Sequence, residues 1–302
     1  MIAPPDEQFA DLGDVTLCYE TFGDPQDAPL LLVMGLGTQM LGWPADFCRE
    51  LAGRGHFVIR YDNRDSGRST RFDGVRPPGP LELATRRIKQ PAYLLSDLAA
   101  DGIALLDHLG IDRAHVVGAS MGGMIAQVMA ARWPARVLTL TSIMSMTGAR
   151  WKGQPALRAY PFLLAKPPKT KEASIERTLA LYKIIGSPGF DRDEAELRET
   201  ASLAWDRGPS AAGTGRQLGA ILASGDRTTE VSAIRAPTLV LHGTSDRLVN
   251  VSGGKATAKA IAGAKLELID GMGHDLPRGV WPRIVDAIAG HTGAGAEATA
   301  AS

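Results

Sequence analysis

The chain is poor in cysteine, in net charge and in long apolar runs, and each lack excludes a class of protein. Only Cys18 and Cys48 occur in 302 residues. Two cysteines make no disulfide framework, and their spacing is not that of a zinc site, so both read as buried thiols. Lys and Arg number 33, as do Asp and Glu. No net field therefore draws the chain to nucleic acid or to an anionic membrane, and neither is expected as a partner. No apolar run approaches the ~18 residues needed to span a bilayer. The opening MIAPPDEQFADLGD lacks a basic segment followed by an apolar stretch, so no signal peptide is read and a cytoplasmic protein is expected.

What is present is ordinary in amount, with 44% apolar and 22% charged residues, and informative in order. Residues 14–22, DVTLCYETF, read as an early strand or hairpin before the turn-rich GDPQDAP. Continuous apolar runs follow at 30–34, 56–62, 114–120, 137–144, 237–243 and 265–270, as expected of strands covered on both faces. Helices are expected between them, at 44–54 and at 94–109, where Leu95, Leu98, Ile103, Leu105, Leu106 and Leu109 share the apolar positions, and a closing helix over 281–290. This alternation predicts an α/β fold, a mainly parallel central sheet with helices on both faces. Residues 147–235 break the rhythm with three helical stretches and no strand, and read as a helical lid inserted into a core of residues 1–146 and 236–290. The small, polar residues 291–302 read as a disordered tail.

Within this order the stretch HVVGASMGGMIAQ, 115–127, places a serine among residues with almost no side chain. Gly118-Ala119-Ser120-Met121-Gly122 is a G-x-S-x-G pattern where a buried strand gives way to a helix. A turn that sharp holds its central residue strained and leaves no room for side chains two positions either way. The bland alternative is a tight helix start with Ser120 as an ordinary N-cap. A catalytic serine needs a base, and the base needs an orienting carboxylate, both in loops beyond the carboxyl ends of strands. His56 and His115 open strands at the wrong end, His108 lies in a helix, His291 falls in the tail, and His242 is read as structural. His274, in the glycine-flanked GMGHDLP after the sixth run, remains. Asp246, in HGTSDRLV after the fifth run, supplies the acid, since the loop after 137–144 offers none, and the order Ser, Asp, His fits. For the oxyanion the Met121 N–H is one expected donor, and the loop VMGLGTQ offers the other. Leu36 is favoured there, with Gly35 or Gly37 open.

These motifs together resemble the α/β-hydrolase superfamily over nearly the whole chain. VMGLG stands where that family usually has His-Gly, YDNRDSGRS (61–69) is similar to its D-x-R-G-x-G-x-S turn, and GASMGG, HGTSDRLV and GMGHDLP complete the set. The stretch from MGLGTQM to DSGRST looks most like bacterial hydrolases that include the aclacinomycin methylesterases. Two departures stand out. Met34 replaces the usual histidine, and Asp65 takes a glycine position, which is read as structural. The resemblance implies a lid over the site and a substrate pocket lined by Gly35, Leu36, Met144, Met146 and Trp151, although core packing serves the last four equally well. It implies no cofactor and no metal. The expected function is hydrolysis of a small-molecule carboxylic ester through an acyl-enzyme on Ser120. A perhydrolase, lactonase or carbon–carbon bond hydrolase would use the same triad, and a non-turnover ligand-binding member of the family is a further alternative. Oligomeric state is left open.

Overall fold

The computed structural model describes residues 7–156 and 167–300, with side chains through 293; residues 157–166 of the predicted lid and 301–302 of the predicted tail lie outside them. Eight strands form one sheet in the order β1-β2-β4-β3-β5-β6-β7-β8. β1 (Gln8–Asp11) and β2 (Thr16–Phe22) make an antiparallel hairpin, and β2 runs antiparallel to β4 (His56–Tyr61). β3 (Ala28–Val33), β4, β5 (Ala114–Ala119), β6 (Val137–Ile143), β7 (Thr238–Gly243) and β8 (Lys265–Ile269) are all parallel. Every residue of β4, β5 and β7 is buried. That is why their sequences read as unbroken apolar runs: a sheet covered on both sides leaves no polar face to alternate with.

The period-two geometry of β3 sends Leu31 and Val33 to one core and Leu30 and Leu32 to the other. On the first face lie α3 (Leu95–His108) and α4 (Met121–Arg132), and on the second α1 (Ala45–Ala52) and α10 (Trp281–Ala300). β3 lies between β4 and β5, so the winding direction reverses there. Such folds place their ligands at the carboxyl end of the sheet, beside that reversal.

Between β6 and β7 the chain departs into helices α5 (Lys171–Ile185), α6 (Glu194–Asp206), α7 (Ala211–Ser224) and α8 (Thr228–Val231), and α9 (Ser252–Ala260) joins β7 to β8. Thr170, Asp193 and Ser210 cap the first three, their side chains accepting the N–H groups of Ala173, Glu196 and Gly213. Two buried ion pairs fasten this insertion to the turn after β4. Arg216 of α7, 1% exposed, meets Asp65 with two parallel bonds of 2.8 and 2.7 Å, and Arg207 meets Asp62. Asp65 has φ +69°, the conformation for which glycine is the usual residue. Its carboxylate also accepts from Tyr93 Oη and Phe72 N, so the strained backbone is held by four bonds. The departure at Asp65 is structural, as the sequence suggested, and the Arg216 partner holds its carboxyl below the ordinary range despite burial.

Two expectations need correction. The expected disordered tail does not begin at 291, because α10 runs on past that point and buries His291 and Thr292. Thr292 Oγ1 meets His56 Nε2 at 2.8 Å, and His291 Nε2 meets the Pro237 carbonyl at 3.1 Å, so docking extends a helix that composition alone would end. A short helix, α2 (Pro80–Thr85), also lies in a stretch that carried no helical reading.

Candidate active site

β5 ends at Ala119 and α4 begins at Met121, so Ser120 alone makes the turn, with φ +57° and ψ −120°. A non-glycine residue held there costs about 1–3 kcal/mol and persists only when its surroundings over-determine it. They do. A Cβ on Gly118 would lie 2.2 Å from the Gly122 carbonyl oxygen, and one on Gly122 would lie 2.0 Å from the Val33 carbonyl oxygen. Ser120 N donates to the Ile143 carbonyl at 2.9 Å, and Ser145 Oγ donates to the Ser120 carbonyl at 2.7 Å. The hydroxyl makes no cap bond to the helix it precedes. The N-cap alternative therefore fails, and the hydroxyl is free to turn elsewhere.

It turns to His274, whose Nε2 lies 3.0 Å from Ser120 Oγ. His274 Nδ1 lies 2.7 Å from Asp246 Oδ2. A carboxylate only accepts, so Nδ1 carries the proton and Nε2 offers its lone pair to the serine hydroxyl. Asp246 is 4% exposed and is fixed in turn, its Oδ1 accepting the N–H groups of Leu248 and Val249, each at 2.8 Å. Three residues predicted at three strand ends thus meet in one line of hydrogen bonds. Sequence reasoning took His242 as structural and missed where it sits. Fully buried, it donates from Nε2 to the Val249 carbonyl at 2.8 Å and lies 3.5 Å from the same Asp246 oxygen. Burial lowers its pKa, so it adds no competing positive charge beside the acid.

The loop after β3 passes directly beside the serine. A Cβ on Gly35 would lie 3.0 Å from Ser120 Cβ. Asn63 Nδ2 donates to the Met34 carbonyl at 2.9 Å, and the Gly37 N–H donates to Gln217 Oε1 at 2.8 Å. The Gly37 amide is therefore engaged by a fully buried side chain of α7. Met121 N belongs to the first residue of α4, whose first four N–H groups have no partner within the helix.

The suggested pocket residues separate. Met144, φ +43°, packs in the core with Ile143 and Leu241, and Met146 packs against Gly153. Trp151 is 78% exposed, with the Arg150 guanidinium over its ring. Among the described residues no cluster of three or more His, Cys, Asp or Glu is placed to hold a metal ion.

Residues 28–277 match the family model described as alpha/beta hydrolase fold. The chain belongs to that family. Among curated relatives, a rhodomycin D methylesterase from Streptomyces peucetius is 33% identical over 92% of this chain and 95% of its own. A 3-oxoadipate enol-lactonase from Acinetobacter baylyi is 31% identical, over 85% of this chain and 86% of its own. Among solved structures, an enol-lactonase from Burkholderia xenovorans superimposes with a TM-score of 0.73 over 94% of this chain and 99% of that one, at 23% identity. The resemblance to the methylesterase group, read from the glycine-rich loop and the DSGRST turn, holds across almost the full length.

Proposed function

We propose that the protein is a cofactor-independent serine esterase that cleaves a small-molecule carboxylic ester. His274 Nε2 takes the hydroxyl proton while Ser120 Oγ bonds to the ester carbonyl carbon. The carbonyl oxygen becomes an anion, and the N–H groups of Met121 and Leu36 receive it; with the Gly37 amide held by Gln217, Leu36 is the better placed of the residues at 36 and 37. Collapse expels the alcohol, which takes its proton from His274. Water, deprotonated by His274, then attacks the acyl-serine; the acyl–Oγ bond breaks, Ser120 Oγ takes the proton back from His274, and the acid leaves. Asp246 holds the imidazole in the required tautomer and offsets the positive charge it gains in each half-reaction.

The observation that carries this reading is the aligned pair of contacts, 3.0 Å from Ser120 Oγ to His274 Nε2 and 2.7 Å from His274 Nδ1 to Asp246 Oδ2, on a strained serine that caps nothing. The methylesterase relatives support a methyl ester as the bond cleaved. The test is exposure to a fluorophosphonate probe and to p-nitrophenyl and aromatic methyl esters, beside Ser120→Ala. Labelling and turnover that both vanish in the variant are expected. Absence of labelling in the unaltered protein overturns the proposal.

A further inference from the structure

The loop that carries His274 has glycine at 271, with φ +71°, and at 273, so of the three residues before the ring only Met272, buried in the core, has a side chain to hold the loop. The helical insertion provides the support. The connection between α5 and α6 runs beside the loop and bonds to it through backbone. His274 N donates to the Ile185 carbonyl at 2.7 Å, and Gly189 N donates to the Gly271 carbonyl at 3.0 Å. A Cβ on Gly273 would lie 2.4 Å from the Gly186 carbonyl carbon, and one on Gly271 would lie 2.7 Å from Gly189 Cα. The glycines flanking His274 thus allow two backbones to touch.

One side chain stands between them. Ser187, 4% exposed, accepts the Gly273 N–H at 2.8 Å and donates its own hydroxyl proton to Asp275 Oδ1. A single hydroxyl therefore bonds to both residues adjacent to His274 in the chain. We infer that Ser187 is a positioning residue for the reaction: through Gly273 and Asp275 it sets the direction in which the His274 imidazole meets Ser120. The inference rests on the serine-esterase reading above. It is separable from the loop's general support, because the bonds to Ile185 and from Gly189 are made by backbone and survive any substitution at 187. What Ser187→Ala removes is the pair of bonds bracketing the ring. Small misplacement of a reacting group is costly even when the fold is intact.

The test measures the second-order rate of fluorophosphonate labelling, together with kcat and KM on a p-nitrophenyl ester. It compares the unaltered protein with Ser187→Ala, Ser187→Thr and Ser120→Ala. Ser187→Ala is expected to label about 10- to 100-fold more slowly, with a matching fall in kcat and KM changed by less than about twofold. Ser187→Thr, which keeps the hydroxyl, is expected to recover most of the loss. Should the alanine variant fail to fold, Ser187→Cys keeps the volume, weakens both bonds, and carries the same expectation. Labelling and kcat unchanged in Ser187→Ala, or a fall that threonine does not restore, overturns the positioning role alone. An unaltered protein that does not label overturns the esterase reading and this inference with it.

Discussion

At the carboxyl end of the sheet His274 faces the Asp246 carboxylate at 2.7 Å, whereas the histidines at the amino end hydrogen-bond to neutral oxygens. His56 meets the Leu51 carbonyl and Thr292 Oγ1, His115 meets Thr139 Oγ1 at 2.9 Å, and His291 meets the Pro237 carbonyl. The rings of His56 and His115 stand edge to face, 6.2 Å apart. Burial lowers the pKa of all three, and that of His115 falls to about 4, with repulsion from His56 and His291 adding to the desolvation. All four histidines are less than a tenth exposed, so depth does not distinguish them. The partner does. An imidazole with a carboxylate on one nitrogen and a hydroxyl on the other can accept a proton and have the charge offset. An imidazole among hydroxyls, carbonyls and other imidazoles is kept neutral and serves as packing that also hydrogen-bonds.

The largest effects should fall at the carboxyl end. Ser120→Ala and His274→Ala are each expected to lower kcat by roughly ten-thousand-fold or more while leaving the unfolding midpoint near that of the unaltered protein. Asp246→Asn comes next, at about a thousand- to ten-thousand-fold, because an amide N–H facing Nδ1 drives the imidazole proton to Nε2, where it can no longer accept from Ser120. At the other end, His115→Gln should change kcat by less than about twofold, in keeping with a role in packing alone. Steady-state kinetics on one p-nitrophenyl ester would compare all four. A substantial loss from His115→Gln would break the contrast between the two ends.

The carboxyl end was also the more legible in the sequence, for a physical reason. Its strands are buried on both faces and so read as apolar runs, and a one-residue turn between strand and helix can be built only with glycines around it. His274 and Asp246 followed from position, since each comes directly after a strand. The amino end misled because His291 lies in a glycine- and alanine-rich segment whose helicity depends on docking against β4 and Pro237. Ser187 and Gln217 carried no signal at all. Their partners, Gly273 and Gly37, lie 86 and 180 residues away, and neither a lone serine nor a glutamine on a helix announces a contact at that separation. A pocket role for Trp151 comes from the resemblance alone; among the described residues it stands at the surface beneath an arginine.

A smaller effect should sharpen the account of the turn itself. In Gly122→Ala the new methyl would sit 2.0 Å from the Val33 carbonyl, a backbone atom of β3 that has no room to retreat. The expected cost is about 3–5 kcal/mol, read by urea unfolding, with loss of labelling at Ser120 as the turn widens. Retained stability would mean that β3 and α4 approach less closely than the close-packed turn requires.

The smallest effect belongs to the amino end and has a definite sign. His115 titrates near 6.5 when unfolded and near 4 when folded, so between those values the unfolded chain binds a proton that the folded chain excludes. Stability from this group is complete above pH 6.5 and is lost as pH falls toward 4; below that both states are protonated and the loss levels off. Its size should be about 2 kcal/mol, less than the full shift implies, because acidification lets the site relax and admit water. Urea unfolding of the unaltered protein and of His115→Gln across this range isolates the contribution, since every other titrating group is common to both. The variant should show a shallower decline. An equal decline would mean that His115 already carries its proton in the fold, and the two ends of the sheet would then differ less in their treatment of charge than their partners imply.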